Sequence, residues 1–370
     1  MKGAIILAVT AIFFLPAGRC LSQTETAGKL PQRVVTDSPA AAEIMLALSA
    51  GQRLAGVAPE LAAMPLFKTL APEWSALPAI TVNGALDGAA AAALKPDLAV
   101  LRSAAGSEPL TAAGISTIFI QPTSFTEVID SIGVLAKALG AGERGAFVAS
   151  ELKSRLQLPR ERTQSLSDDQ KPSLYFSGPD GLLSAPAADM HQVQIGRLAG
   201  ARPVEAATTG GWQAVTPEQL LGWNPDVIVI LPYPGAPLIE DVMADPRWQP
   251  VKAVATGRVY VMPSSANGWD QATPTGILGL MWLVKALHAE HFLEIEPQVE
   301  ADAVFGALFG IPFTKLSRED LAPKSAPLPR LKETAATAAP SAPAAAAAPA
   351  EPESEPASAA AANAPGTADK

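Results

Sequence analysis

Short runs of aliphatic residues alternate with longer amphipathic stretches between about residues 31 and 315. Because the runs are continuous rather than strictly alternating, they are typical of strands that are covered on both faces of a parallel sheet. Strands that take turns with helices predict an α/β fold with mainly parallel sheets. The runs are RVVT from Arg33, RLAGV from Arg53, DLAVL from Asp97, STIFI from Ser116, SLYF from Ser173, DVIVIL from Asp226 and RVYVM from Arg258.

The amphipathic stretches predict helices, and two strands are entered through nearly the same phrase. In LKPDLAVL and WNPDVIVI, the residue before Pro96 or Pro225 is disfavoured in helical geometry, so the helix ends and Pro-Asp turns the chain into a strand. The repetition favours one such unit in each of two lobes. The predicted helices are AAAEIMLALSA after Pro39, VIDSIGVLAKALGA after Glu127, PEQLLGW after Thr216 and GILGLMWLVKALHAEHF after Thr275.

A long segment between the two lobes also keeps helical spacing. Apolar residues recur at Val128, Ile132, Leu135 and Leu139, and the spacing resumes after a glycine-containing interruption at 140–145. We therefore predict that a long helix joins the lobes. The predicted organisation is an N-terminal lobe at 31–123, a bridging helix at 124–158 and a C-terminal lobe at 170–318.

The two ends of the chain lie outside these lobes. Residues 1–22 carry a lysine, the apolar run AIILAVTAIFFLP and small residues, which is the pattern of a secretory signal peptide; an uncleaved anchor is the alternative. Cys20, the only cysteine, stands where a lipoprotein carries its acylated residue, but Arg19 before it favours ordinary cleavage near Ser22. A periplasmic protein without thiols is therefore expected. Residues 322–370, rich in alanine and proline, predict a disordered tail.

Composition and motifs exclude several classes of function. The formal net charge is −9 and aromatic residues make up 5% of the chain, so neither the cationic stripe nor the stacking platform of a nucleic-acid binder is present. The segment VVTDSPAAAE joins the first strand and helix without the glycine-rich turn of a dinucleotide enzyme. The chain also lacks the Gly-x-Ser-x-Gly elbow of a hydrolase. An enzyme is not expected.

Several segments carry a family resemblance: RVVTDSPAAAEIMLALSAGQRLAGV, LKPDLAVL, GGWQAVTPEQLLGWNPDVIVI, DPRWQPVKAVATGRVYVMP and GWDQATPTGILGLMWLVKALHAEHF. In this order they resemble the periplasmic substrate-binding proteins of ABC importers for iron-siderophore, haem and cobalamin, over residues 32–313. The resemblance implies two Rossmann-like α/β lobes joined by one long helix, with a ligand in the cleft between them. It also implies an ABC permease in the inner membrane as partner, and a monomer with no intrinsic cofactor that carries a ferric siderophore, haem or cobalamin.

In that group, each lobe presents a glutamate that docks onto the permease, just ahead of each Pro-Asp phrase. Glu218 matches the C-terminal position, whereas Ala89 stands at the N-terminal position. Asp87, two residues earlier and with a shorter side chain, is the nearest carboxylate that could replace the missing glutamate. The alternative is that only the C-terminal lobe docks through a carboxylate. Glu218 is also placed to stabilise the start of a helix that Thr216 would cap. An envelope interaction protein that keeps the fold without transport is a further alternative.

Ligand contacts are expected from loops at the strand ends, where open α/β sheets leave a crevice. Flat apolar contact with a macrocycle or catecholate is predicted from Trp212, Tyr233 and Trp269. Arg102 follows a strand and either pairs with an anionic chelate or is solvated. Asp270 either accepts hydrogen bonds in the cleft or caps the helix that follows it.

Histidines supply the candidates for metal contact. His191 is the one histidine on a loop where it could contact a metal or haem, whereas His288 and His291 lie near a helix end, where a solvated pair is expected. A metal is therefore expected to arrive inside a chelator; a free metal ion or an oxyanion is the alternative ligand. Trp248 and Trp282 lie in packing patterns and are expected in the core.

Overall fold

The computed structural model describes residues 29–264 and 268–325. The predicted signal peptide, Cys20 and nearly all of the predicted tail lie outside these residues. The strands are β1 Val34–Thr36, β2 Leu54–Val57, β3 Thr81–Val82, β4 Ala85–Leu86, β5 Leu98–Leu101, β6 Ser116–Phe119, β7 Ser173–Ser177, β8 Ser184–Pro186, β9 Arg202–Pro203, β10 Trp212–Ala214, β11 Val227–Ile230 and β12 Val259–Val261. The α-helices are α1 Pro39–Ala47, α2 Pro59–Ala62, α3 Pro65–Leu70, α4 Gly88–Ala93, α5 Glu108–Ala112, α6 Phe125–Leu139, α7 Gly142–Thr163, α8 His191–Leu198, α9 Pro217–Trp223, α10 Ile239–Ala244, α11 Lys252–Ala255, α12 Ile277–Leu287 and α13 Pro297–Phe309.

Two four-stranded parallel sheets organise the described residues. The first has the order β2-β1-β5-β6 and the second has the order β12-β11-β7-β9, with every pair of neighbours parallel. Two short antiparallel pairs, β3 with β4 and β8 with β10, accompany them. All the predicted aliphatic runs form strands of the two large sheets. The structure therefore confirms the predicted α/β fold with mainly parallel sheets.

The two Pro-Asp phrases perform the same task in the two sheets. The carboxylate of Asp97 accepts hydrogen bonds from the backbone N–H groups of Gln32, at 2.8 Å, and Arg33, at 3.0 Å, just before β1. The carboxylate of Asp226 accepts one from the backbone N–H of Ser173, at 2.7 Å, where β7 begins. Each aspartate therefore fixes the start of the strand that pairs with its own, which explains why the phrase occurs in both halves.

The segment that joins the sheets consists of two helices. The first, α6, ends at Leu139, and Gly140 caps it in left-handed geometry with a φ of 67°, where a side chain would be strained. The second, α7, begins at Gly142 and continues to Thr163, beyond the predicted boundary at residue 158. The predicted bridging segment at 124–158 is thus helical with a break after Leu139, and the long helix is α7.

One buried apolar cluster is shared by both sheets. It contains Val34 and Val100 from the first sheet and Phe176 and Val229 from the second. Side chains of α1, α6, α7, α12 and α13 belong to the same cluster. The two sheets accordingly lie in one compact unit of the chain.

Two polar links reinforce this shared core. The guanidinium of Arg144 donates to the carbonyl oxygens of Ala47, Ala307 and Leu308, each at 2.7 Å, and so joins the end of α1 to the end of α13. The carboxylate of Glu43 on α1, which is fully buried, accepts a hydrogen bond from the backbone N–H of Thr275 at 2.5 Å. Helix α1 of the first half is therefore held to elements that follow the second sheet.

The tryptophans predicted to pack are in the core. Trp248 and Trp282 are both buried, and the Trp282 ring meets Tyr260 edge to face, with centroids 6.3 Å apart. This ring lies on α12, a mostly apolar helix. Even so, none of the helices in the described ranges has the length and apolar character needed to cross a membrane.

Candidate ligand-binding site

Loops at the carboxyl ends of the two sheets meet near His191. Thr123 lies on the loop after β6, and His191 begins α8, after β7 and β8. The Nδ1 atom of His191 is 3.3 Å from the carbonyl oxygen of Thr123. Since ligands of open α/β sheets bind outside the carboxyl ends of the strands, this contact marks the expected position of a ligand.

The geometry of His191 fixes its protonation state. A carbonyl oxygen only accepts hydrogen bonds, so the Nδ1 atom that faces Thr123 carries the proton. The ring is 6% exposed and stands edge to face against Phe125, with centroids 4.8 Å apart. Burial lowers the pKa of His191 to about 4, which the hydrogen bond to Thr123 only partly opposes. The ring is therefore neutral at pH 7, and its Nε2 atom holds a lone pair with no hydrogen-bond partner among the described residues.

Asp270 lies at the centre of a hydrogen-bonded cluster beside His191. Its Oδ2 atom accepts from the amide of Gln192 at 2.8 Å, the hydroxyl of Tyr233 at 2.8 Å and the amide of Gln271 at 2.9 Å. Asp270 is 2% exposed, and all three donors are uncharged. The Asp270 side chain is engaged by these donors and does not cap the turn at Pro274–Gly276 that follows, so capping, one of the two predicted alternatives, is not observed.

Tyr233 and Trp212 form an aromatic wall next to this cluster. Their rings stand edge to face with centroids 5.8 Å apart, and both are half-buried. Burial and the negative charge of Asp270 raise the pKa of the Tyr233 hydroxyl, so it stays a hydrogen-bond donor. Gly178 makes room for Trp212, because a Cβ atom there would lie 2.4 Å from the indole. The structure thus brings these two predicted residues together with Asp270 and His191.

Trp269 lies in the core, so the expectation that it presents an open face to a ligand is corrected. Only 1% of it is exposed, and its ring packs edge to face against Phe313 at 6.1 Å. Its backbone carbonyl also lies against Gly279 of α12. The sequence placed Trp269 on a glycine-containing loop, but the loop folds inward onto α12 and onto Phe313, which follows α13.

Arg102 forms an internal ion pair, which neither predicted alternative included. Its Nε atom lies 3.3 Å from the carboxylate of Asp37, and its Nη2 atom donates to the carbonyl oxygen of Gly84 at 3.0 Å. Asp37 also accepts from the backbone N–H of Arg102 at 2.8 Å. The guanidinium is thus occupied in joining the ends of β1 and β5 to the turn between β3 and β4.

Glu218 is exposed at the second position of α9. Thr216 caps this helix as predicted, but the reciprocal contact comes from Gln219 rather than Glu218. Hydrogen bonding to its own backbone N–H and to Thr216 lowers the pKa of Glu218. Glu218 therefore presents a charged carboxylate on the surface.

Asp87 has a different setting from Glu218. Its side chain accepts a hydrogen bond from the backbone N–H of Ala90 at 2.9 Å and caps the start of α4. Ala89, at the position where the family has a glutamate, is exposed. The two halves of the chain therefore differ on the surface where docking was predicted.

The sequence predicted ligand contacts from the strand-end loops that carry Thr123 and Gln271 but did not single out these two residues or Gln192. The only signal was adjacency, since Gln192 and Gln271 directly follow His191 and Asp270. His288 is buried against the carbonyl oxygen of Gly200 at 3.1 Å rather than solvated. In the part of the chain that the structure describes, no three His, Cys, Asp or Glu residues group as a metal site.

Two parallel sheets joined by helices, with polar loops meeting at their carboxyl ends, define a solute-binding architecture. The chain belongs to the periplasmic binding protein family, whose model matches residues 34–266; members of this family bind solutes and are not enzymes. The molybdate-binding protein MolA of Haemophilus influenzae is 28% identical over 167 residues, which are 45% of this chain and 46% of that protein. The ABC transporter substrate-binding lipoprotein YvrC of Bacillus subtilis is 26% identical over 294 residues, covering 77% of this chain and 89% of that protein.

Solved structures share the fold. MolA bound to molybdate superposes with a TM-score of 0.67 at 22% identity, covering 77% of this chain and 95% of that chain. CeuE of Helicobacter pylori with a nickel-histidine complex gives 0.63 at 18% identity, covering 78% and 93%. The vitamin B12 binding protein BtuF of Vibrio cholerae gives 0.57 at 19% identity, covering 71% and 98%. At these identities, the similarity shows a common architecture.

The protonation state of His191 makes the stability of the protein depend on pH. Its pKa is about 4 in the folded protein and about 6.5 in an unfolded chain. The unfolded state therefore binds more protons as the pH falls from 6.5 towards 4, and folding loses up to about 1.4 kcal/mol per pH unit through this group. We predict that His191→Gln removes this part of the loss, as measured by urea unfolding at pH 7.5 and pH 5. Equal losses in the two proteins would show that His191 is not buried in its neutral form.

Proposed function

We propose that this chain is an extracytoplasmic solute-binding protein that captures a metal complex between its two sheets and delivers it to an ABC permease. The observation that carries the proposal is the Nε2 atom of His191, which is buried, unprotonated and without a partner among the described residues. The ligand class includes an iron chelate of the siderophore kind, haem or cobalamin, provided that the metal has an open coordination position.

The surroundings of His191 favour a metal as the group that it contacts. Neutral imidazole is the commonest protein ligand of transition metals. A coordinating histidine usually donates its other ring N–H to a carbonyl or carboxylate, which fixes the tautomer and orients the ring. Thr123 supplies this carbonyl at 3.3 Å from Nδ1. Within the described residues, the donors to the Asp270 carboxylate are uncharged, so a cationic ligand would also be favoured electrostatically.

An oxyanion is the second candidate, because the relative MolA is named for molybdate binding. An oxyanion needs hydrogen-bond donors, whereas the available atoms of His191 and Asp270 are acceptors. The guanidinium of Arg102 is engaged with Asp37 and Gly84. The polar groups around this site therefore suit a metal complex better than an oxyanion.

The aromatic wall of Trp212 and Tyr233 supports a flat or ring-containing ligand. Aromatic side chains give large apolar contact areas, and both rings are only half-buried. A macrocycle or a catecholate would pack on this wall while its metal meets His191. The ligand would then be held by one coordination bond and one apolar face.

Delivery to a permease is the second part of the proposal. The predicted signal peptide supports export to the periplasm, and the name of YvrC supports an ABC transporter as partner. Glu218 is the proposed docking residue, since its carboxylate is exposed on α9. The Asp87 carboxylate caps α4, so docking of the first half through that residue would compete with helix capping. We therefore propose that a monomer docks onto the permease through the carboxylate of its second half alone.

We predict that the purified mature protein binds at least one of haemin, cobalamin, a ferric siderophore or nickel-histidine, as followed by quenching of tryptophan fluorescence. His191→Gln should weaken that binding by about tenfold or more, because a coordination bond is lost. His291→Gln, which changes an exposed histidine, is the matched control and should bind normally. Binding of molybdate alone, unchanged in His191→Gln, would instead establish the oxyanion candidate.

Glu218→Ala should lower uptake of the ligand in cells without changing the affinity of the isolated protein, because the docking carboxylate lies outside the ligand site. Glu143→Ala, which removes an exposed first-turn glutamate from α7, serves as the control. Uptake of radiolabelled ligand by the two variants decides the question. Equal uptake would remove Glu218 from the docking surface.

A further inference from the structure

A basic cavity lies at the amino-terminal edge of the second sheet, opposite the loops that carry His191. Its volume is about 540 Å³, within the range of small-molecule sites. Lys171 precedes β7, and Arg202 begins β9 beside it, since Ser173 and Arg202 are paired across the two strands. The charged residues that line the cavity are Arg160, Asp168, Lys171, Arg197, Arg202 and Glu205.

Positive charge predominates in this cavity, although the whole chain has a formal net charge of −9. Both acidic residues are already paired, since Glu205 contacts Arg197 and Asp168 lies 3.5 Å from Lys171. The two remaining cations, Arg160 and Arg202, have no carboxylate partner among the described residues. Together these charges leave an excess of positive charge around an open cavity.

The guanidinium groups of Arg160 and Arg202 retain free donors. Among the described residues, Arg202 uses its Nε atom, which donates to the carbonyl oxygen of Lys171 at 3.0 Å, and its Nη atoms have no partner. No side-chain hydrogen bond occupies Arg160 within the described part of the chain. Planar guanidinium groups with free N–H pairs match the oxygen geometry of phosphate.

Helix ends explain only part of this arrangement. Helices α7 and α8 both end at the cavity, where the hydroxyl of Thr163 donates to the carbonyl oxygen of Leu198 at 3.1 Å. Basic residues in a last turn offset the partial negative charge of the helix carbonyls, which accounts for Arg160 and Arg197. Lys171 and Arg202 lie outside both helices, so they add positive charge to the cavity beyond what the helix ends account for.

We propose that this cavity binds a phosphate-type anion. The anion is either a free phosphate compound or the headgroup of an anionic phospholipid, because both present the same oxygens to Arg160 and Arg202. The cavity and the His191 site lie at opposite edges of the second sheet. Binding here therefore does not depend on the ligand of the first site, and the two proposals fail independently.

The test is calorimetric titration of the full mature protein with sodium pyrophosphate in low-salt buffer, alongside flotation with vesicles of phosphatidylglycerol or phosphatidylcholine. The double variant Arg160→Gln with Arg202→Gln should weaken binding by about tenfold or more, because two charge-assisted contacts are lost. Arg247→Gln, which changes an exposed arginine on another surface, is the control. Arg160→Gln alone covers the case in which the double variant fails to fold, and it should also weaken binding.

Each outcome decides the proposal. Pyrophosphate binding that the arginine variants weaken supports a free phosphate compound. Selective flotation with phosphatidylglycerol that these variants abolish supports a lipid headgroup. Absence of both activities, or binding that is unchanged in the arginine variants, overturns the proposal.

Discussion

A single apolar core shared by the two sheets is the constraint on which the rest of the structure depends. Residues from β1 and β5 and residues from β7 and β11 belong to one buried cluster, together with side chains of the helices between them. Separating the halves would return this apolar surface to water, at about 25 cal/mol per Å². It would also break the hydrogen bond from the backbone N–H of Thr275 to the buried carboxylate of Glu43. The core therefore fixes where the strand-end loops of the two sheets meet.

Because the shared core holds the two sheets together, it also determines the geometry of the candidate ligand site. His191 stands on α8 after the second sheet, but the carbonyl that orients its ring belongs to Thr123, after the first. A ligand that binds Nε2 of His191 therefore benefits from a contact that exists only when the two loops are together. Ligand binding at Nε2 and the contact between the two loops would therefore stabilise each other, as linkage requires.

The sequence predicted the sheets well because their signal is local. Every aliphatic run became a strand, and the Pro-Asp phrases became equivalent anchors at Asp97 and Asp226. The site was predicted less completely, because its contacts join residues far apart in the chain. Asp270 is far from Gln192 and Tyr233 in the sequence, and only the folded structure brings them into contact. No local sequence pattern distinguishes Trp269, which is buried, from Trp212, which is half-buried. Similarly, the pairing of Arg102 with Asp37 follows from the adjacency of β1 and β5.

The proposed function requires that His191 offer an unprotonated Nε2 atom to the metal of the ligand. The chain has only three histidines, so their ring nitrogens can be resolved by long-range ¹H–¹⁵N NMR of histidine-labelled protein. We expect that His191 has its proton on Nδ1 at pH 7, and that addition of the bound metal complex shifts or broadens its Nε2 signal selectively. An Nε2 signal that stays unchanged when the protein is saturated with ligand would contradict it.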